Sequence, residues 1–179
     1  MMKRLTLLRH AKSSWDDPVQ RDFDRPLNAK GLRAARTMGD YCRREGMAWD
    51  HVISSPAVRC VETLDGFWDG YGKALKPVWD RRVYLASCMN LLDVLHDAPE
   101  EAGSILMAGH NPGLEDLVLL LVPDDGETLR DSLEEKFPTA SVAVLAFDGA
   151  WSHLAARAAR LLAFTRPRDL DPALGPDQG

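Results

Sequence analysis

The stretch Leu5-Thr6-Leu7-Leu8 constrains the fold of this chain more than any other, because it runs directly into Arg9 and His10. A short apolar run that stops at charged residues is typical of a buried strand in a parallel sheet. The residues after His10 are small and polar. We therefore expect the chemistry of the protein to lie where this first strand ends.

Two later stretches repeat the order of strand, polar turn and helix. The strand predicted at 50–54 leads into Ser55-Pro56, and the strand predicted at 104–108 leads into Gly109-His110. Apolar residues at helical spacing follow each turn. Strands that alternate with helices favour an α/β fold, and we predict a three-layer α/β/α sandwich with a mainly parallel central sheet.

The C-terminal region is harder to interpret. Residues 141–147 are typical of a strand, whereas residues 153–166 are compatible with either a helix or a closing strand, and we favour a strand at 159–165. Prolines, aspartates and a glycine dominate after this point. We therefore predict one domain over residues 1–166 and a loose C-terminal tail over residues 167–179.

The ends of the predicted strands carry residues suited to an anion. Parallel strands place the loops at their carboxyl ends around one crevice, where α/β proteins bind ligands. Arg9 and Arg59 would bring planar guanidinium groups that match phosphate oxygens, and helices beginning at Pro56 and Pro112 would add unpaired N–H groups. In such a phosphate site, a neutral imidazole can act as a nucleophile. The histidines lack metal-ligand spacing, so we predict no metal.

Composition excludes several classes of partner. The chain of 179 residues has 22 Lys and Arg against 27 Asp and Glu, a net charge of -5, which disfavours nucleic acid and anionic membranes. The first apolar run is too short for a signal peptide or a membrane-spanning helix, and we expect a cytoplasmic protein. Three cysteines without a C-x-x-C pair argue against a disulfide framework.

Four motifs in order resemble those of the histidine phosphatase superfamily, which includes the phosphoglycerate mutases. They are Leu8-Arg9-His10-Ala11-Lys12-Ser13, Arg25-Pro26-Leu27-Asn28-Ala29-Lys30-Gly31, Ser54-Ser55-Pro56-Ala57-Val58-Arg59-Cys60-Val61-Glu62-Thr63-Leu64 and Gly109-His110-Asn111-Pro112. The compact spacing and the Arg-Pro-Leu motif are similar to the small SixA-type phosphohistidine phosphatases. The resemblance covers residues 4–166 and implies a phosphoglycerate mutase-like fold.

The resemblance also implies roles for individual residues. His10 would attack phosphorus and carry the phosphoryl group, while Arg9, Arg59 and His110 would hold its oxygens. Arg25 would be a further phosphate ligand, and hydrolysis would need no metal or other cofactor. Further candidates for substrate binding are Lys12, Ser13, Tyr84 and Asn111. For the first two the alternatives are a solvated lysine and a serine that only caps the loop.

One departure from the larger family members concerns the substrate. Those members place an acidic residue after the third strand, but residues 83–87 here contain no carboxylate. Because phosphohistidine has an easily protonated nitrogen leaving group, it depends less on a general acid than an alkyl phosphate does. The aspartates of the first loop, Asp16, Asp17, Asp22 and Asp24, could still supply an acid. The chain also lacks room for a helical cap between Tyr84 and His110, and an open pocket suits a phosphorylated protein side chain.

We therefore expect a metal-independent phosphatase that acts on phosphohistidine of a partner protein. Two alternatives remain open. The enzyme could act on a small phosphorylated substrate, or the chain could be a non-catalytic module that binds a phosphorylated ligand.

Overall fold

A computed structural model describes residues 1–126 and 128–175, apart from the side chains of Thr128 and Glu135. It contains a six-stranded sheet with helices on both faces, the predicted α/β/α sandwich. The strands are β1 (Met2–Arg9), β2 (His51–Ser54), β3 (Val78–Trp79), β4 (Ser104–Gly109), β5 (Val142–Asp148) and β6 (Ala159–Thr165). The helices are α1 (Ala29–Arg44), α2 (Val58–Tyr71), α3 (Cys88–His96), α4 (Gly113–Leu121), α5 (Thr128–Glu135) and α6 (Pro167–Leu170).

The strand order is β3-β2-β4-β1-β5-β6. The first four strands in this order are parallel, whereas β5 pairs antiparallel with β1 and β6 pairs antiparallel with β5. The strand alternative for 159–165 is therefore the one observed. Because β1 lies between β4 and β5, the Arg9-His10 turn is near the centre of the sheet edge.

Side chains of β1 alternate between the two layers of the core, as the period of a strand requires. Leu5 and Leu7 pack in the cluster that includes α3 and α4, whereas Leu8 packs with residues of α1 and α2. All three are at most 1% exposed. Burial on both faces explains why this segment is almost continuously apolar.

The N-terminus of α1 fixes the loop that follows β1. The side chain of Asn28 accepts a hydrogen bond from the Gly31 amide at 2.8 Å, as is typical of an N-cap residue, and the Asn28 amide donates to the Lys12 carbonyl at 3.0 Å. A Cβ atom at Gly31 would lie 2.2 Å from the same carbonyl oxygen. Only glycine therefore permits this close approach of helix and loop.

Two segments differ from the sequence-based expectation. Residues 82–85, whose valine, tyrosine and leucine favour an extended strand, do not form one. Instead Arg81–Val83 forms a 3₁₀ turn, and the carboxylate of Asp80 before it accepts a hydrogen bond from the Arg82 amide at 2.9 Å. In the region expected to be a loose tail, α6 and a 3₁₀ turn at Pro172–Leu174 are formed, and Leu174 is buried. Residues 176–179 of the expected tail lie outside the described residues.

Among the helices of the described residues, none has both the length and the apolar character needed to cross a membrane.

Candidate active site

The site lies where β1, β2 and β4 end together. Pairing of β1 with β4 aligns Arg9 with Gly109, and the His10 amide donates to the Gly109 carbonyl at 3.0 Å. The Ser55 amide donates to the carbonyl of Ala108 at 3.1 Å. The three strand ends predicted to converge are thus adjacent, and the ring centroids of His10 and His110 are 5.3 Å apart.

The backbone sets the tautomer of His10. Its Nδ1 lies 2.7 Å from the carbonyl oxygen of Ala11, and since a carbonyl only accepts, Nδ1 donates and Nε2 keeps its lone pair. Burial, together with the nearby charges of Arg9 and Arg59, lowers the pKa of His10 to about 3. The ring is therefore a neutral base at physiological pH, with Nε2 available to attack an electrophile.

His110 is held in the opposite tautomer. A guanidinium nitrogen of Arg59 donates to Nδ1 at 3.3 Å, so the proton is on Nε2, which donates to the Ser55 hydroxyl at 2.8 Å. Burial and the positive charge of Arg59 lower the pKa of His110 to about 3. Both histidines are thus neutral, and the positive charge of the site comes from arginines.

Arg59 lies in the first turn of α2 and is 2% exposed. Its guanidinium donates to the Asp22 backbone carbonyl at 2.8 Å and to the Asp22 carboxylate at 3.0 Å. The hydroxyl of Tyr84 donates to the same carboxylate at 2.6 Å. Although burial alone would raise the pKa of Asp22, these hydrogen bonds lower it to about 2, so the carboxylate is ionised.

Arg25 reaches the site from the loop between β1 and α1. Its guanidinium donates to the Ser13 hydroxyl and binds Asp22 Oδ1 at 3.1 and 3.2 Å. The guanidinium carbon also lies 3.6 Å from the centroid of the Trp15 ring, within cation–π range. The loop therefore presents a second, positioned guanidinium beside that of Arg59.

Arg9 and Asn111 bind the loop that precedes β5. Arg9 donates to the Phe137 carbonyl at 2.9 Å, and the Asn111 side-chain amide donates to the same oxygen at 3.0 Å. The Asn111 side-chain oxygen accepts from the Glu115 amide at 3.2 Å at the start of α4. Asn111 thus holds two backbone segments, and burial lowers the pKa of Arg9.

These side chains surround a cleft of about 350 Å³. The predicted site residues that line it are Arg9, His10, Lys12, Ser13, Arg25, Arg59, His110 and Asn111. Tyr84 is placed differently, because its hydroxyl contacts Asp22 and its ring meets that of His110 edge to face at 5.4 Å. The arrangement offers a neutral nucleophile beside several fixed hydrogen-bond donors, which is what transfer of a phosphoryl group requires.

Comparison with known proteins assigns the chain to a family. Residues 5–82 match the family model of the histidine phosphatase superfamily (branch 1). An uncharacterized protein of Mycobacterium tuberculosis is 31% identical over 163 residues, which cover 90% of this chain and 100% of the relative. The chain belongs to branch 1 of the histidine phosphatase superfamily.

Solved structures of this superfamily extend the similarity to the whole fold. A candidate phosphohistidine phosphatase SixA from Nakamurella multipartitia superposes with a TM-score of 0.82 at 30% identity, covering 93% of this chain and 97% of that one. A protein histidine phosphatase SixA in complex with tungstate shares the fold, with a TM-score of 0.77, 21% identity and coverage of 94% and 99%. The predicted SixA-like fold is therefore confirmed.

Three residues of this candidate site make contacts that were not predicted from the sequence. Asp22 was considered only as a source of protons, yet it is an ionised partner of two arginines and a tyrosine. Ser55 was assigned to a helix start, yet its hydroxyl also accepts a hydrogen bond from Nε2 of His110. Cys60 lies 3.6 Å from the same ring nitrogen, but burial raises its pKa to about 12 and keeps it a thiol.

Proposed function

We propose that the chain is a phosphatase that transfers a phosphoryl group to Nε2 of His10 and then to water, with phosphohistidine on a protein as its substrate. The observation that carries the proposal is the hydrogen bond that His10 Nδ1 donates to the Ala11 carbonyl. This hydrogen bond leaves Nε2 unprotonated in a cleft lined by three arginines. Membership of the histidine phosphatase superfamily supports it.

The reaction has two displacements at phosphorus. In the first, the lone pair of His10 Nε2 forms a bond to phosphorus while the bond to the substrate nitrogen breaks. The leaving nitrogen keeps that electron pair, and a substrate ring protonated on its other nitrogen departs as neutral imidazole. Water then attacks phosphorus, the electron pair of the broken N–P bond returns to His10, and inorganic phosphate carries away the added oxygen.

In the proposed reaction the arginines would bind the phosphoryl oxygens in both steps, while His110, whose ring nitrogens are engaged by Arg59 and Ser55, would hold the Arg59 guanidinium in position. Arg59 and Arg25 already bind a carboxylate, Asp22, through geometry that a phosphoryl group could use. Guanidinium groups fixed before the reaction stabilise developing charge without reorganisation. Arg9 adds a third cation from the end of β1.

The acid chemistry of the cleft favours a phosphoramidate. Asp22 is the only carboxylate among the described residues that line the cleft, and its pKa of about 2 makes it a poor proton donor at neutral pH. Burial and the adjacent carboxylate raise the pKa of Tyr84, which weakens it as an acid. A substrate whose leaving group is already easily protonated therefore suits this site better than an alkyl phosphate.

The approach to the cleft favours a macromolecular substrate. Between Tyr84 and His110 the chain forms only α3 and β4, so no cap covers the site from this segment. Trp15 and Leu85, which line the cleft, are 75% and 57% exposed. A phosphorylated side chain on another protein could enter such a cleft. The finding that similar chains are named SixA phosphohistidine phosphatases agrees with this choice.

Comparing substrates on one enzyme preparation tests the proposal. We expect turnover of a phosphohistidine peptide with a kcat/KM at least tenfold above that of sugar phosphates, and no turnover by His10→Asn. A preference for the sugar phosphate would instead favour a small-molecule phosphatase. Phosphate binding without hydrolysis of any substrate, including an activated aryl phosphate, would favour a binding module.

A further inference from the structure

A second cavity, which we call the basic cavity, opens beside the catalytic cleft. Its volume is about 270 Å³, and it lies between the start of α1, the loop before β5, and α6 with the turn after it. Six cationic side chains line it, namely Arg9, Lys12, Lys30, Lys136, Arg166 and Arg168. None of the other lining residues that the structure describes is acidic.

This concentration of positive charge is not explained by composition. The chain as a whole has a net charge of -5, yet six cations converge on one small cavity. Like charges at close range repel one another, and a bound anion would relieve that repulsion. Three of these cations, Lys12, Lys30 and Arg166, already have interaction partners, which include the Gly175 carbonyl for Lys30 at 2.6 Å and Asp169 for Arg166 at 2.8 Å. Within the described part of the chain, no hydrogen bond or ion pair engages the side chains of Lys136 or Arg168.

The basic cavity and the catalytic cleft are adjacent. Arg9, Lys12 and Thr139 line both of them. Arg9, the last residue of β1 and the neighbour of His10, donates to the Phe137 carbonyl in the loop that forms one wall of the basic cavity. A molecule with its phosphoryl group at His10 could therefore extend a second anionic group towards the basic cavity.

The size and walls of the basic cavity indicate the kind of group that fits. The volume of the basic cavity lies near the lower end of the range of about 300–1,000 Å³ that is typical of ligand pockets, which leaves ample room for a single side chain. Between the cations its walls are apolar, formed by Ala34, Pro138, Pro167 and Leu174. An acidic side chain has both a methylene stem for these walls and a carboxylate for the cations.

We propose that the basic cavity binds an acidic side chain of the phosphoprotein, near the phosphohistidine that enters the cleft. This inference rests on the proposed function and adds the substrate class that the site selects. Acidic residues beside the phosphohistidine would raise the affinity of the substrate, while its chemistry at His10 would not change.

Two phosphohistidine peptides test this inference, one with glutamate on both sides of the phosphohistidine and one with glutamine there. We expect the wild-type chain to process the glutamate peptide with a kcat/KM about five- to tenfold higher, mainly through KM, as a partly exposed ion pair would give. In the double variant Lys136→Gln/Arg168→Gln this preference should disappear. A matched double variant, Lys73→Gln/Lys76→Gln, removes the same charge near the opposite edge of the sheet and should keep it.

Several outcomes would overturn the inference. Equal turnover of the two peptides by the wild-type chain would do so, as would a preference that persists in Lys136→Gln/Arg168→Gln. If tripolyphosphate inhibits the wild type more strongly than this variant while the peptides remain equivalent, the cavity binds a small polyanion instead. An aryl phosphate without a second anion should be hydrolysed equally by both proteins. If the wild type hydrolyses no substrate at all, the proposed function fails rather than this inference.

Discussion

The carboxylate of Asp22 lies 3.0 Å from the guanidinium of Arg59, the side chain proposed to bind the phosphoryl group. Arg25 and Tyr84 bind the same carboxylate. An ionised side chain thus occupies hydrogen-bond donors that the proposed substrate would use, so binding of its phosphoryl group would displace or rearrange this contact.

Replacing Asp22 by asparagine should strengthen the binding of inorganic phosphate. The change removes one negative charge beside two guanidinium groups, and for a partly exposed pair this corresponds to about 1 kcal/mol, or roughly fivefold in the inhibition constant. Inhibition of aryl phosphate hydrolysis by phosphate measures it. Asp24→Asn is the matched control, because Asp24 pairs with Arg21 at 2.8 Å and does not line the cleft. Weaker phosphate binding in Asp22→Asn would show that the carboxylate chiefly positions the arginines.

Loss of Arg59 should reduce kcat far more than loss of a surface arginine. Removing one positioned donor to a developing oxyanion typically costs about 10²–10³ in rate, and we expect Arg59→Gln to fall in this range. Arg59→Lys should not restore activity, because a lysine lacks the planar fork of donors. Arg82→Gln, which removes an arginine paired with Asp80 and Asp97 outside the cleft, should retain wild-type kinetics. Near-normal kcat in Arg59→Gln would refute the assigned role.

Ser55 should act by orienting His110. Ser55→Ala removes the hydroxyl that accepts from His110 Nε2, and we expect kcat to fall about tenfold, equivalent to roughly 1.4 kcal/mol in the barrier. Ser54→Ala is a close control, because Ser54 is equally buried one residue earlier but donates to the Ser55 carbonyl. Equal effects of the two substitutions on kcat would mean that the Ser55 hydroxyl has only a structural role.

The two buried histidines should make the fold sensitive to acid. Their pKa of about 3 in the folded chain lies below the value of about 6.5 in an unfolded chain, so only the unfolded state gains these protons between the two values. The free energy of unfolding should therefore fall as the pH drops from 6.5 towards 3, by up to about 1.4 kcal/mol per pH unit for each histidine.

Urea unfolding at pH 7 and pH 5 measures this dependence. His10→Asn should reduce the loss of stability between the two pH values, whereas His153→Asn, which changes an exposed histidine outside the cleft, should leave it unaltered. An unchanged loss in His10→Asn would contradict the low pKa of His10.

The strand ends were predictable because local pattern and long-range topology agree there. Apolar runs that stop at Arg9-His10, Ser54-Ser55 and Gly109-His110 identify three parallel strands, and such strands bring their carboxyl ends together whatever the surrounding loops do. For this reason most of the predicted site residues share one cleft.

The path of the first loop was not predictable in the same way. Asp22 reaches Arg59 only because a 3₁₀ turn at Asp22–Asp24 and the pairing of Ser13 with Leu27 shape this loop, and both depend on tertiary contacts. The same holds for α6 and the turn that follows it, where a composition rich in proline and aspartate nevertheless packs through Pro167 and Leu174. Composition indicates which local structure a segment disfavours when it is isolated. These segments are ordered instead by their contacts with the rest of the domain.

The most direct test of the central claim is to trap the phosphorylated enzyme. The wild-type chain is mixed with a labelled phosphohistidine peptide and the reaction is quenched rapidly without acid. The protein should then carry a phosphoryl label that is stable in alkali and lost in acid. Neither His10→Ala nor His10→Asn should carry the label. Unchanged circular dichroism and thermal stability of His10→Asn at pH 7.5 would show that misfolding does not cause the loss of label. Retention of an acid-labile label in either variant would contradict the assignment of His10 as the nucleophile.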